Sequence, residues 1–339
     1  MSLPNQFRYD PDIGFTFVPN LQARISHETG GYLVRVNALG FRDDRTPGSA
    51  RDEQRRRILV FGDSFTAGDG VSNGKRFSDE LARLVPGTDF YNFGLPSSGT
   101  DQQLIAFNKF ARDLPCNLVI VAVLVENIRR ITAQFRPAQS GDERIRFVPK
   151  PYFELHDGKL VRFHNPVPEE SVDADELSQG LAGAAIDQGG RFPGLRKLIK
   201  SLGLKAVVQR LTGYQPVPDF DSSSSPAWLL MRALLLAWRE ASRSPLLVVP
   251  LPLYQHVEET ADASAYQQRF RELASETGIA VHDVLPDLRR YSMEERRGFR
   301  FATDVHLTAA GHRAVARSLA PAVSALLDKV VECGSAVTA

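Results

Sequence analysis

The chain has 339 residues, of which 43% are hydrophobic, and its 41 basic and 40 acidic residues leave a net charge of +1. This length exceeds the roughly 250–300 residues at which a single core stops growing, so we expect one large domain with an insertion or a smaller companion domain. The balanced charge excludes a global field that would attract nucleic acid or an anionic membrane surface.

The N-terminal region, residues 1–50, is predicted to be a strand-rich arm, because short apolar runs between Phe7 and Arg45 alternate with glycines. Its first ten residues lack the apolar core of a signal peptide, and no run in the chain approaches the ~20 apolar residues of a membrane span. Cys116 and Cys333 lie far apart and form no metal or redox spacing. We therefore expect a cytoplasmic protein; its oligomeric state is left open.

Two separated regions, 51–133 and 226–332, show strands alternating with helical patterns, which favours a parallel sheet built from βαβ units. The predicted strands are Ile58–Phe61, Phe90–Phe93, Leu118–Val125, Pro245–Pro250 and Ile279–His282. The predicted helices are Phe77–Leu84, Gln102–Arg112, Trp228–Ala241, Ala263–Thr277 and a final amphipathic run from Thr308 to about Leu327.

Residues 134–225 interrupt this alternation and are predicted to be an insertion. Alternating runs on either side of Asp157-Gly158 indicate a hairpin, and 194–211 has a helical pattern. An insertion at the carboxyl end of a strand emerges beside a ligand site, so a lid or substrate-selecting cap is one interpretation. A structural appendage or dimer contact is the other.

Ser64 is the candidate nucleophile of the chain. It follows the apolar run Ile58–Phe61 and the strand-breaking Gly62, so its hydroxyl is expected at a turn between a strand and a helix. The first N–H groups of such a helix would face an anion that forms beside the serine. The alternative is that Asp63 and Ser64 only cap a helix.

His306 is the candidate base, with Asp304 two residues before it as the carboxylate that would orient its ring. Residues two apart in an extended loop point the same way, so the two side chains can meet. Taken alone, an Asp-x-His before a helix is more often a turn and a cap. His312, in the first turns of the last helix, is interpreted as a capping or packing residue, with the role of base as its alternative.

Together with two further segments, these residues resemble the SGNH, or GDSL-type, serine hydrolase superfamily. Gly62-Asp63-Ser64 is similar to its nucleophile block, the stretch from Asn92 to Gln103 to its second block, Asn127 to its third, and Asp304-Val305-His306 to its last block in the short Asp-x-His form. The four blocks occur in the family order. The resemblance implies a three-layer α/β/α, flavodoxin-like fold, with an oxyanion hole formed by the backbone N–H groups of Ser64 and Ser97 and the side chain of Asn127.

Two blocks depart from the family pattern. The second block has Ser97 where a glycine is usual, so Gly94 or Gly99 is an alternative donor. The third block lacks its usual glycine before Asn127, which leaves a strand-end turn residue as the alternative interpretation of this asparagine. Arg129 and Arg130 follow it and either meet an anionic group of the substrate or, as we expect, pair locally.

The resemblance implies an esterase that forms an acyl-serine and needs no metal or cofactor. The branch with an Asp-x-His block and an N-terminal strand arm suggests small acyl groups on a carbohydrate or other small-molecule ester. Three alternatives stay open: an O-acyltransferase to a sugar hydroxyl, a thioesterase or lysophospholipase-like enzyme, and a binding module that has lost turnover.

Overall fold

The computed structural model describes residues 6–48, 55–139, 145–173 and 214–336. Its strands, in chain order, are β1 Phe7–Asp10, β2 Gly14–Phe17, β3 Gln22–Ile25, β4 Tyr32–Arg35, β5 Arg56–Gly62, β6 Thr88–Gly94, β7 Leu118–Leu124, β8 Phe135–Gln139, β9 Ile145–Pro149, β10 Tyr152–His156, β11 Lys159–Phe163, β12 Val172–Asp173, β13 Leu246–Leu251 and β14 Ala280–Val281. Its helices are α1 Ser64–Ala67, α2 Phe77–Leu84, α3 Thr100–Phe110, α4 Asn127–Arg130, α5 Pro226–Ala241, α6 Tyr254–Val257, α7 Ser264–Thr277, α8 Leu285–Leu288, α9 Met293–Arg297 and α10 Ala309–Ala336.

The centre of the molecule is a five-stranded sheet in the order β14-β13-β7-β5-β6, in which every neighbouring pair is parallel. All residues of β7 and β13 are buried, as expected for strands covered on both faces. Helix α2 packs against α10 and α3 packs against α5, so helices flank the sheet. The predicted three-layer, flavodoxin-like α/β/α fold is confirmed.

The strand order places a switch point beside β5. The chain runs from β5 outward to β6 on one side and then crosses back to β7 on the other. In open α/β sheets, ligands bind at the carboxyl ends of the strands where the order reverses. Ser64 follows β5 and Asn127 lies just beyond β7, so both residues are at this edge.

The N-terminal arm consists of two antiparallel hairpins, β1 with β2 and β3 with β4. Its apolar side chains, among them Phe15, Phe17 and Phe41, belong to the same buried cluster as the strands of the sheet. The predicted strand-rich arm is therefore present, and it shares the core of the domain.

The described part of the insertion contains the three-stranded antiparallel sheet β12-β9-β8 and the hairpin β10-β11. The hairpin turns at Asp157 and Gly158, which have φ angles of 50° and 75°, the left-handed pair that a type I′ turn requires. Apolar side chains of the hairpin pack against the core. The predicted helix at 194–211 lies outside the described residues.

Within the ranges that the structure describes, no helix is both long and apolar enough to cross a membrane.

Candidate active site

Ser64 occupies the turn between β5 and α1, as the first residue of the helix. A Cβ added to Gly62 would lie 2.0 Å from the Thr66 hydroxyl oxygen, so only glycine allows this tight exit from the strand. Asp63 is the N-cap, and its Oδ1 accepts the Phe65 N–H at 3.0 Å. Because Asp63 caps the helix, the Ser64 hydroxyl is left available for another partner.

That partner is His306. The Ser64 hydroxyl lies 2.8 Å from His306 Nε2, and His306 Nδ1 lies 2.6 Å from Asp304 Oδ1. With the ring proton on Nδ1, the imidazole donates to the carboxylate and accepts from the serine. This is the tautomer in which an imidazole takes a hydroxyl proton as a general base. The three side chains form one continuous hydrogen-bonded chain across 242 positions of sequence.

Asp304 is held as a carboxylate. Burial alone would raise its pKa. The pKa is nevertheless lowered, because His306 donates hydrogen bonds from its backbone N–H and its ring, His306 also contributes its charge, and His27 donates a further hydrogen bond. The His306 N–H donates to Oδ1 at 3.0 Å, so the same oxygen receives both groups of His306. An ionised carboxylate in this position stabilises the imidazolium that forms when the ring accepts a proton.

Two backbone N–H groups in the site are unoccupied. Among the described residues, the N–H groups of Ser64 and Ser97 make no hydrogen bond, whereas the N–H of Gly94 donates to Asn92 and the N–H of Gly99 donates to Gln102. The two alternatives to Ser97 as oxyanion donor are thus already engaged.

Ser97 has a φ of +61°, the left-handed conformation that a glycine would adopt without cost. The serine therefore adopts a backbone geometry that glycine tolerates more easily. A non-glycine residue in this region costs about 1–2 kcal/mol and clusters at functional sites.

Asn127 is fully buried at the start of α4, and neither its Oδ1 nor its Nδ2 has a hydrogen-bond partner within the described residues. A buried amide without partners is rare and costs about 1–3 kcal/mol. Its neighbour in sequence, Glu126, lines the cavity described next, whereas Asn127 is not among the lining residues.

A cavity of about 410 Å³ opens beside Ser64 and His306. Its wall combines apolar side chains with charged and amide groups, which suits a ligand with both kinds of surface. The lining residues are Ser64, Phe65, Asp69, Ser97, Leu124, Glu126, Arg130, Leu253, Tyr254, Gln255, Val305 and His306. Residues 135–139 and 145–173 of the insertion contribute none of them, so the lid stays a prediction.

The two arginines after Asn127 are paired locally. Arg130 donates to Asp63 Oδ2 at 2.9 Å and so holds the N-cap residue of α1 in place. Arg129 lies 3.3 Å from Asp219 and donates to the Pro216 carbonyl. Arg130 nevertheless lines the cavity, and it is the arginine of this pair that a substrate would meet.

His312 lies apart from this arrangement. It is fully buried, and its Nδ1 accepts the backbone N–H of Phe77 at the start of α2. Burial, together with the charges of Arg42 and Arg76, lowers its pKa to about 3. The ring is held as a neutral packing and capping group, in agreement with the interpretation preferred from the sequence.

Three groups near the site were not predicted from the sequence. His27 and Glu28, in the turn between β3 and β4, contact Asp304, and Asp69 lines the cavity five residues after Ser64. Burial raises the pKa of Asp69. Asp69 is close to Ser64 in the sequence, which is a signal that could have found it, whereas nothing in the sequence connects residues 27 and 28 with residue 304.

Comparison with known proteins identifies the family. Residues 60–314, three quarters of the chain, match the model of the GDSL-like lipase/acylhydrolase family. The chain belongs to this family. It is therefore an ester-cleaving hydrolase, and the match spans all four sequence blocks.

Solved structures of similar fold include a lipolytic protein of the G-D-S-L family from Veillonella parvula DSM 2008, which is 14% identical over 78% of this chain and 96% of that one with a TM-score of 0.40. A lipase/acylhydrolase from Enterococcus faecalis is 13% identical over 79% and 95%, also at 0.40. An acetylxylan esterase from Geobacillus stearothermophilus is 11% identical over 78% and 92%, again at 0.40. A comparison with curated proteins finds no match.

Proposed function

We propose that this GDSL-family hydrolase removes small acyl groups, acetyl in the first place, from hydroxyls of a carbohydrate through an acyl-enzyme on Ser64. The observation that carries the proposal is the hydrogen-bonded chain from the Ser64 hydroxyl through His306 to Asp304, with distances of 2.8 and 2.6 Å. A serine is a weak nucleophile unless a base takes its proton, and this arrangement supplies the base and its orienting carboxylate.

In the proposed reaction, Ser64 Oγ attacks the ester carbonyl carbon while its proton passes to His306 Nε2. The tetrahedral intermediate collapses, the C–O bond to the alcohol breaks, and His306 returns the proton to the leaving oxygen. A water molecule then attacks the acyl-serine by the same steps, which releases the carboxylic acid and restores Ser64.

The oxyanion of the tetrahedral intermediate needs hydrogen-bond donors that no other group has engaged. The free N–H groups of Ser64 and Ser97 are the proposed donors, with the partnerless Asn127 amide as a third. Each such donor contributes about 2.7–4 kcal/mol to transition-state stabilisation in comparable sites.

The size of the acyl group is inferred from a small apolar cavity next to the catalytic one. It has a volume of about 30 Å³ and shares Phe65, Tyr254 and Val305 with the lining of the larger cavity. This volume is less than a tenth of that of the catalytic cavity, so the space favours a short acyl group over a long one.

The alcohol side is inferred from the polar part of the larger cavity. Asp69, Glu126, Arg130 and Gln255 present donors and acceptors, and Tyr254 offers an aromatic surface. Hydroxyl groups of a sugar can hydrogen-bond to the first set while the apolar face of its ring packs on the second.

The test is hydrolysis of p-nitrophenyl acetate, butyrate and octanoate, and of an acetylated oligosaccharide, with fluorophosphonate labelling followed by intact mass. We expect acetate to be the best chromogenic substrate, and Ser64→Ala to lose labelling and to lower kcat by several orders of magnitude. Ser222→Ala, which removes an exposed hydroxyl on a surface loop, is the matched control and should behave as the parent.

Preference for octanoate would contradict the small acyl group, and labelling that persists in Ser64→Ala would contradict the nucleophile. An unlabelled parent that folds would favour the binding-module alternative. Adding an unacetylated oligosaccharide to the assay separates two acceptors: acetyl transfer to the sugar would show that an O-acyltransferase is the better description.

A further inference from the structure

The turn between β3 and β4 of the N-terminal arm reaches the carboxylate of the catalytic loop. His27 Nε2 lies 3.3 Å from Asp304 Oδ2, a contact between residues 277 positions apart. The His27 side chain is 9% exposed and that of Asp304 is 30% exposed, so the contact is largely screened from water. A second imidazole therefore stands on the side of Asp304 opposite His306.

The two carboxylate oxygens of Asp304 accept hydrogen bonds from different residues. Oδ1 receives the ring and the backbone N–H of His306, while Oδ2 has His27 as its only donor among the described residues. A carboxylate held by one oxygen alone can rotate about its Cβ–Cγ bond. A donor on the second oxygen opposes that rotation and keeps Oδ1 in line with His306 Nδ1.

His27 is itself fixed in place by its neighbours. Its ring packs edge-on against Phe301, with centroids 4.4 Å apart, and against Tyr32 at 5.8 Å. Its Nδ1 lies 3.2 Å from the Thr29 hydroxyl. A hydroxyl that donates to Nδ1 leaves the ring proton on Nε2, where it faces Asp304.

Glu28 ties the same turn to the backbone of the catalytic loop. Its carboxylate accepts the N–H of Thr303 at 3.1 Å and the N–H of Asp304 at 3.3 Å. Adjacent residues of one turn thus hold both the main chain and the side chain of Asp304.

We propose that His27 is a positioning residue for ester cleavage: its Nε2–H holds Asp304 in the orientation that His306 needs. The N-terminal arm is then part of the active centre. This inference rests on the roles proposed above for Ser64, His306 and Asp304. In this role His27 does not contact the substrate. It affects kcat through Asp304 and leaves substrate binding unchanged.

The experiment compares two substitutions of His27. His27→Phe keeps the flat ring against Phe301 and Tyr32 but has no N–H, whereas His27→Gln can place an amide N–H near the position of Nε2. We expect the phenylalanine variant to lower kcat for p-nitrophenyl acetate about tenfold at unchanged KM, and the glutamine variant to recover most of that loss. His156→Phe, at an exposed histidine on β10, is the matched control.

A double-mutant cycle with Asp304→Ala decides whether His27 acts through Asp304. If it does, the effect of His27→Phe on residual activity should shrink to less than about twofold once the carboxylate is gone. An undiminished tenfold loss in the Asp304→Ala background, or a parent-like kcat in His27→Phe alone, would overturn the proposal. The proposal would also be overturned if His27→Gln lost as much kcat as His27→Phe while both variants kept the melting temperature of the parent.

A spectroscopic measurement keeps this inference separate from the proposed function. The Nδ1–H of His306, bonded to a carboxylate at 2.6 Å, should give a downfield proton resonance in ¹⁵N-labelled protein that is absent from His306→Ala. We expect His27→Phe to shift or broaden this resonance and His27→Gln to retain it. If fluorophosphonate fails to label the parent, the proposed function fails, and the resonance still decides the role of His27. An unaltered resonance in His27→Phe would reject it.

Should His27→Phe not fold, Thr29→Val, which frees Nδ1, provides the same readouts with a smaller expected loss.

Discussion

At the scale of single residues, the site combines groups that stabilise the fold with groups that cost stability. Ser97 adopts a left-handed conformation and Asn127 buries an amide with no partner. Both costs fall at the edge of the sheet where Ser64 lies. Strain and unpaired polar groups of this kind cluster at functional sites, in keeping with the oxyanion-binding role proposed for both residues.

The unpaired amide gives a prediction in which stability and activity move in opposite directions. Asn127→Leu replaces the buried amide with an apolar side chain of similar size. The free energy of unfolding should therefore stay level or rise by about 1 kcal/mol. Loss of an oxyanion donor should lower kcat by roughly 10²–10³. Urea denaturation and p-nitrophenyl acetate kinetics on the same sample check both. Parent-like kcat in a folded Asn127→Leu protein would remove this residue from the oxyanion hole.

The buried neutral His312 predicts a specific dependence of stability on pH. Burial lowers its folded pKa to about 3 from an ordinary value of 6.5, so between these values the unfolded chain binds more protons than the folded one. The free energy of unfolding should therefore fall as pH decreases through that window, by up to about 1.4 kcal/mol per pH unit from this group. His256, whose pKa is lowered by burial to about 4, acts in the same direction.

His312→Asn should flatten this slope, because an asparagine oxygen can accept the Phe77 N–H in place of Nδ1 without titrating. At pH 7.5, His312 is neutral in both the folded and the unfolded chain. Denaturation curves at this pH therefore give the packing cost of the substitution itself. Curves at pH 6.5, 5.5 and 4.5 then give the slope. A slope as steep in His312→Asn as in the parent would show that other groups carry the acid sensitivity.

At the scale of elements, the sequence predicts what depends on local pattern. The strands of the central sheet and the long helices follow from periodicity, and the hairpin turn follows from Asp157-Gly158. Ser64, Asp304 and His306 could be singled out because each sits in a short block at a strand or helix end. Parallel topology then brings the blocks together, since the carboxyl ends of neighbouring strands share one edge.

What the sequence does not predict is contact between elements that share no pattern. The turn that carries His27 and Glu28 has no feature that points to residue 304. The left-handed φ of Ser97 could be suspected only from the family glycine that it replaces. The short helices α4, α6, α8 and α9 contain too few turns to show a period.

The insertion is attached to the core by a buried ion pair that gives an element-level prediction. Lys150 Nζ lies 2.6 Å from Asp101 Oδ2, and the two side chains are 3% and 0% exposed. Lys150→Met leaves a buried carboxylate uncompensated and should lower the free energy of unfolding by about 3–5 kcal/mol. Arg129→Met breaks the exposed pair with Asp219, with side chains 47% and 30% exposed, and should cost less than about 1 kcal/mol.

Adding Asp101→Leu to Lys150→Met tests the mechanism of this loss. Since most of the cost comes from the orphaned charge, the double variant should be more stable than Lys150→Met alone. If the single variant unfolds at the parent's urea concentration, residues 150 and 101 do not anchor the insertion.

At the scale of the whole molecule, the N-terminal arm and the sheet share one core, and one buried side chain joins the arm to helix α1. Arg42 is fully buried and donates to the carbonyls of Ala67, at 3.0 Å, and Gly68, at 2.5 Å, which end α1, and to the carbonyl of Val71. Next to it, Asp43 accepts the N–H of Asn92 in the second block at 2.8 Å. The arm is thus hydrogen-bonded to the end of α1 and to β6, the elements that carry Ser64 and Asn92.

This arrangement predicts that the arm is required for folding. Arg42→Lys keeps the charge, but a single ammonium cannot reproduce the forked set of hydrogen bonds to the carbonyls of Ala67, Gly68 and Val71. Buried carbonyl oxygens then lose a donor, and the free energy of unfolding should fall by about 2–5 kcal/mol. Arg24→Lys, at an exposed arginine of the same arm that donates to Gly30, should change it by less than about 0.5 kcal/mol. A chain that begins at residue 51 should fail to give a cooperative urea transition, because the sheet would then expose the apolar surface that the arm covers. A cooperative transition at the parent midpoint in that shortened chain would show that the core folds without the arm.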